Sequence, residues 1–322
     1  GFSLTLFAWR APKVGLGGNF QLISRETMLL ANNVLLLVAA GSVMLGTLYP
    51  LLMDALDLGK ISVGPPYFET IFVPLMAPAI FLIGLGPIAR WKQASLPSLA
   101  IRLRWAFLVS LVSALTMPLL MSEWKLMVSF GLLLAFWIIA SIIVNIKHRI
   151  QNSGEGSFIA RLSRQSSSYF GMHCAHLGIA AFIVGVTMVN GYETEKDVRM
   201  ELGNVVSVGG YTFKFNGTTN KPGPNYKATV GDIDVLKGDT VVRKLYPEKR
   251  TYNASGMVMT EAAIDTGLVR DLYVALGEPL DGGAWVVRVY HKPFIIWIWL
   301  GCILMAFGGI LAISDRRYRF NV

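Results

Sequence analysis

The sequence predicts an α-helical polytopic membrane protein of six transmembrane helices with an inserted, outward-facing β-domain, and three observations carry that expectation. Hydrophobic residues make up 53% of the chain and charged ones 15%, at a mean hydropathy of +0.52, whereas soluble domains carry about a quarter charged residues. Apolar runs recur at lengths that cross ~30 Å of hydrocarbon at ~1.5 Å per helical residue. Between the last two runs, over residues 192–291, period-two alternation replaces them.

Composition also excludes function classes. The formal net charge of +9 does not indicate nucleic acid, because the basic residues sit in short flanks of apolar runs, which is the signature of topology. Cys174 and Cys302 each lie inside an apolar run. No CxxC or CxxCH occurs, so neither a redox pair nor covalent haem attachment belongs to this chain. Ser and Asp are scattered without a nucleophile elbow, and there is no HExxH or P-loop. The chain starts on Gly without a signal-peptide pattern and is expected to be a piece of a longer protein.

Residues 1–27 mix apolar residues with Arg10, Lys13 and Arg25 and a Gly-rich stretch, Val14-Gly-Leu-Gly-Gly18. Lacking a strand–helix context, that stretch is no nucleotide loop, and the segment reads as a cytoplasmic, partly interfacial link. A first span is expected from Thr27 to Met53, with Asn32 and Asn33 as interhelical glue or cavity lining. Ser62-Val-Gly-Pro-Pro-Tyr-Phe68 reads as a rigid turn before a second span, Thr70 to Ile88, interrupted by Pro74 and Pro78. Arg90, Lys92, Arg102 and Arg104 flank a polar loop, and a third span ends near Met121. Ser122-Glu-Trp-Lys125 is a tight turn, and a fourth span runs from Leu126 to Ile146. The basic residues Lys147, His148, Arg149, Arg161 and Arg164 precede a fifth span, Tyr169 to Gly191; a sixth, Pro293 to Ile313, ends in the tail Asp315-Arg-Arg-Tyr-Arg319. By the positive-inside rule all these basic flanks are cytoplasmic and residues 192–291 face outward.

In that outer segment Tyr211, Phe213 and Phe215, and again Trp285, Val287 and Val289, alternate with other residues. Asn216-Gly217, Lys221-Pro-Gly-Pro224 and Asp281-Gly-Gly283 are expected to separate strands. Lys237, Arg243, Lys244, Lys249 and Arg250 form a basic face, either solvated or docking a carboxylate-bearing partner or haem propionates.

The fifth span carries the chemistry: His173 and His176, one turn apart. A titratable group inside a membrane helix is costly and points to function. Binding a metal or haem iron replaces the hydration that imidazole loses, and the plainer alternative is an imidazole satisfied by a neighbouring helix. Axial haem ligands approach from opposite faces, and residues three apart on a helix point ~60° apart, so both cannot serve one iron. His291 lies roughly 20 Å farther along the membrane normal by helical rise, and His148 sits in a basic flank. A second ligand must come from elsewhere. Ala175 and Gly178 are expected to let a flat macrocycle approach the backbone beside His176, with His173 nearer the aqueous edge.

Several longer blocks bear a resemblance: Gly171-Met-His-Cys-Ala-His-Leu-Gly178, Ser62-Val-Gly-Pro-Pro-Tyr-Phe68, Ser24-Arg-Glu26, Pro247-Glu-Lys-Arg-Thr-Tyr252, Arg270-Asp-Leu-Tyr-Val-Ala-Leu-Gly-Glu278 and Lys292-Pro-Phe-Ile-Ile-Trp-Ile-Trp-Leu-Gly301. Through them essentially the whole chain resembles the C-terminal half of the CcmF-type cytochrome c haem lyases. The resemblance implies a multi-pass protein of the bacterial inner membrane, with 192–291 in the periplasm and the C-terminus cytoplasmic. It implies transfer of haem, a transient substrate, from the chaperone CcmE to the CxxCH thiols of apocytochrome c presented by a CcmH-type subunit. It also implies a transmembrane b-type haem, with quinol as electron source, whose axial ligand here is His176; His173 is left to support or pack beside it. The family's Trp-rich haem-handling segment, its outer histidines and the partner transmembrane histidine belong to an N-terminal half absent from this sequence. Activity is therefore expected to need that half. The implied layout is a membrane domain at 1–191, a β-rich domain at 192–291 and a returning helix with tail at 292–322. Competing readings are a non-catalytic scaffold or docking subunit and, from the proline-interrupted span, a transporter; the helices show no inverted repeats and no internal acidic residues.

Overall fold

The computed structural model describes residues 2–11 and 21–315; Lys13, the Val14–Gly18 stretch and the basic residues after Asp315 lie outside the described residues. Helix α1 (Phe2–Arg10) is followed by six helices long and apolar enough to cross a membrane. These are α2 (Arg25–Ala55), α3 (Pro65–Leu85), α4 (Leu96–Thr116, extended by a 3-10 turn to Leu120), α5 (Leu126–Gln151), α7 (Ser167–Tyr192) and α8 (Ile296–Ile313). A short helix, α6 (Phe158–Ser163), precedes α7. With the β-domain inserted between α7 and α8, the chain is a polytopic membrane protein.

The boundaries depart from expectation where prolines were read as breakers. Pro65 and Pro66 begin α3, because the first helical positions need no amide hydrogen, so the supposed rigid turn is a helix start. Pro74 and Pro78 lie inside α3, and the helix runs through them without interruption. Prolines are tolerated there as they are in other membrane helices, and the cue for a transporter disappears. Arg102 and Arg104 belong to α4, and Lys147, His148 and Arg149 to the last turns of α5.

The chain divides into two compact units, Gly1–Val112 with Phe136–Arg164, and Ser113–Ala135 with Gln165–Val322. In the first, Ile88, Leu99, Leu103, Ala106 and Trp137 form a buried cluster. Trp137 stacks on Phe81 at 5.0 Å, donates its indole N–H to the Phe81 carbonyl (2.9 Å) and fills the space left by the missing side chain of Gly84. Asn145 donates to the Pro87 carbonyl at 3.2 Å.

The second unit holds the β-domain, ten strands in two antiparallel sheets. They are β1 (Thr194–Met200), β2 (Val205–Val208), β3 (Tyr211–Pro222), β4 (Tyr226–Lys237), β5 (Thr240–Leu245), β6 (Glu248–Tyr252), β7 (Val258–Glu261), β8 (Ala263–Asp265), β9 (Arg270–Pro279) and β10 (Trp285–Pro293). One sheet has the order β1-β10-β9-β8; the other runs β2-β3-β4-β6-β7, with β5 also on β4. Alternation set the inward faces as expected: Phe213, Phe215, Val287 and Val289 are buried, with Tyr211 and Trp285 packed at the margin. Asn216-Gly217 does not separate strands. It is a bulge inside β3, with Gly217 at φ 101° and the Asn216 amide donating to Asp234 at 2.9 Å.

Candidate functional site on the histidine helix

Helix α7 starts at Ser166, whose hydroxyl accepts from the Tyr169 amide (3.2 Å). Its first turn is closed a second time by Asp315, a buried carboxylate just after α8 that accepts from the Ser168 amide at 3.1 Å. At the other end Lys125 donates to the Gly191 carbonyl (2.7 Å) and lies over the Tyr192 ring, while Tyr192 donates to the Glu123 carbonyl at 2.8 Å. A cation against a helix C-terminus is favourable.

Along its length α7 packs on α8 through a seam of glycines. A β-carbon on Gly171 would meet the Gly308 carbonyl oxygen at 2.5 Å, and one on Gly185 would meet Ile298 at 2.7 Å. Cys174 donates its thiol to the Leu304 carbonyl at 3.5 Å, and both cysteines are free thiols. Such small-residue seams let membrane helices approach backbone to backbone.

The histidines occupy the other side. His176 is two positions from Gly178, and at ~100° per residue its side chain points about 160° away from the seam. So Gly178 is not open to a flat macrocycle as expected, because α8 fills that space. His173 is 4% exposed and meets the Tyr169 ring edge-on at 4.4 Å. It is buried within the protein, one turn nearer the start of α7 than His176. His176 is half-buried, and its Nδ1 is buried without a hydrogen-bond partner. Among the described residues no group hydrogen-bonds that nitrogen. Among the described residues no three His, Cys, Asp or Glu side chains cluster to hold a bare ion.

Residues 191–293 match the family model described as the CcmF C-terminal beta-sandwich. The cytochrome c-type biogenesis protein CcmF of Pseudomonas aeruginosa is 45% identical over 322 residues, which is 100% of this chain and 49% of the relative. Over its whole length the chain is similar to the C-terminal half of a CcmF protein. The CcmF of Escherichia coli is 45% identical over 323 residues, covering 100% of this chain and 48% of the relative. The chain thus spans about half the length of the curated relatives it matches. A solved structure titled Cytochrome c Heme Lyase CcmF has the same fold, at TM-score 0.74 and 22% identity over 92% of this chain and 46% of that one.

The other candidates in this CcmF-like chain separate from the helix site. His291 on β10 stacks on Tyr211 with ring centres 6.3 Å apart and presses on Gly209, so it is a β-domain residue. His148 is exposed near the end of α5, where its ring contacts the Asn152 amide at 3.2 Å. Most of the basic face is spoken for within the β-domain. Arg243 pairs with Asp265 (3.0 Å), Lys244 with Asp234 (3.2 Å), Lys249 with Glu278 (2.7 Å) and Arg250 with Glu248 (2.8 Å). Lys237 lies over the Tyr211 ring. The sequence shows the cations; their partners on other strands appear only in the fold. The glycine seam was missed, although its spacing, Gly171, Gly178, Gly185 against Gly301, Gly308, was there to be seen.

Proposed function

We propose that the chain is the C-terminal part of a membrane haem lyase that moves haem from the chaperone CcmE to the CxxCH thiols of apocytochrome c. In this reading His176 would hold a transmembrane b-type haem together with a histidine of the N-terminal half. The observation that carries it is the uncommitted, buried ring nitrogen of His176 on the face of α7 turned away from α8, in a chain whose relatives are named for cytochrome c biogenesis.

The chain's own residues hold and orient. The seam with α8 and the end contacts at Asp315 and Lys125 fix the rotation of α7, and with it the direction of the imidazole. His173 and Tyr169 pack the turn before the ligand. When bound, the haem supplies one-electron reduction of the incoming haem, with quinol as the source. The domain layout is 1–191 in the membrane, 192–291 in the periplasm as a platform for apocytochrome and its CcmH-type carrier, and 292–322 returning to the cytoplasm. The membrane is the bacterial inner membrane.

A non-catalytic scaffold is the second reading, favoured by the β-domain, whose basic side chains are largely paired internally and which has no candidate catalytic group. An optical spectrum of the protein purified with its partners decides between them. A low-spin b-type haem spectrum is expected, and its absence would leave the scaffold.

A further inference from the structure

The first compact unit contains a cavity of about 340 Å³ where α3 ends and α4 begins. Its wall includes Ile88, Arg90, Gln93, Ser95, Leu99 and Arg102. Ile88 and Leu99 are buried and belong to the apolar cluster around Trp137. Arg90 is exposed and Arg102 half-buried, and among the described residues neither makes an ion pair with a carboxylate. The loop that carries Arg90 is built rather than loose. Gln21 donates to the Lys92 carbonyl (2.9 Å), Arg25 to the Arg90 carbonyl (3.0 Å) and Ala94 to the Ile23 carbonyl (2.7 Å). Glu26, the nearby acid, is engaged by the Lys92 backbone amide at 2.8 Å, and Arg25 lies over the Trp91 ring at 4.8 Å.

Two guanidinium groups lining one cavity, neither ion-paired to a carboxylate among the described residues, give it a positive potential that favours an anion. Guanidinium is the side chain best shaped for phosphate oxygens. The cavity also has an apolar wall and lies at the ends of two spanning helices, where lipid headgroups are found. We propose that Arg90 and Arg102 bind the phosphate of an anionic phospholipid, with Gln93 and Ser95 as further polar contacts and the upper acyl segments against Ile88 and Leu99. Basic pockets between membrane helices on the cytoplasmic side bind such headgroups.

Native mass spectrometry tests this on the protein purified from membranes with its partners, delipidated in neutral detergent. It is titrated with phosphatidylglycerol, phosphatidylcholine or inorganic phosphate. The expected result is a saturable phosphatidylglycerol adduct that phosphatidylcholine does not reproduce. The double variant Arg90→Gln, Arg102→Gln should weaken it on the order of twenty-five-fold, about fivefold for each charge near the membrane surface. Arg104→Gln, exposed on the same helix and outside the cavity wall, should leave it unchanged. Arg90→Gln alone, on the loop, and the charge-conserving Arg102→Lys keep the test readable if the double variant does not fold. Equal loss in Arg104→Gln would mean diffuse surface charge and overturn the site. Equal binding of phosphatidylcholine would overturn the anion, and displacement by matched inorganic phosphate would overturn the lipid.

Discussion

Gly178 on α7 and Gly301 on α8 face each other so closely that a β-carbon on either would lie 2.6 Å from the other's carbonyl oxygen. The atoms in the way are backbone, which cannot swing aside as a flexible side chain can. We predict that Gly178→Ala or Gly301→Ala costs about 1–3 kcal/mol by overpacking and that leucine at either position separates the helices. Because α8 sets the rotation of α7, the b-type haem signal should fall with stability. A leucine variant that keeps both would show that the seam does not orient the ligand.

The two histidines should separate cleanly. His176→Ala is expected to abolish the b-type haem spectrum and cytochrome c assembly. His173→Ala removes a buried ring packed on Tyr169 and should lower stability while leaving most of the haem and most of the assembly. Bleaching by His173→Ala with haem retained in His176→Ala would reverse the assignment, and haem retained in both variants would remove α7 from ligation.

Orientation follows from charge. Reporter fusions at Ser153, in the basic flank after α5, should read cytoplasm, and fusions at Asn220 in β3 should read periplasm. Opposite results would invert the depth assigned to both histidines and remove the reason for placing a lipid headgroup from the cytoplasmic leaflet beside Arg90 and Arg102.

His291 makes the β-domain acid-sensitive. Burial, with the nearby Arg270 guanidinium, holds its pKa below the ordinary imidazole value. The unfolded chain therefore takes up a proton near pH 6.5 that the folded domain still refuses, so the contribution is present at neutral pH and is lost as pH falls. Hydrogen exchange of the β9 and β10 amides should speed up between pH 7 and 5.5, after correction for the intrinsic rate. His291→Asn should flatten that dependence; an unchanged slope would assign it to another group.

The inward positions of the β-domain were legible because alternation has a period of two, and one buried face selects Phe213, Phe215, Val287 and Val289. Asn216-Gly217 misled because the same dipeptide that permits a hairpin also permits a bulge, and only the pairing of β3 with β4 across it decides which forms. Pro65, Pro74 and Pro78 misled for a related reason: proline removes one amide but does not forbid a helix whose other hydrogen bonds are local.

Length, apolar runs and flanking charge by themselves determined that this is a polytopic membrane protein with a β-domain between its last two spans, since each is a property of the chain against water and lipid. That His173 and His176 sit within one spanning helix was likewise written in the residues. Which way they point was decided only by tertiary structure. A helix in lipid has no hydrophobic reason to prefer one rotation over another, because every side faces a medium as apolar as itself. Rotation is settled instead by close backbone contact, here Gly171, Gly178 and Gly185 against α8, and that contact turns both histidines away from α8, with His173 buried beside the Tyr169 ring.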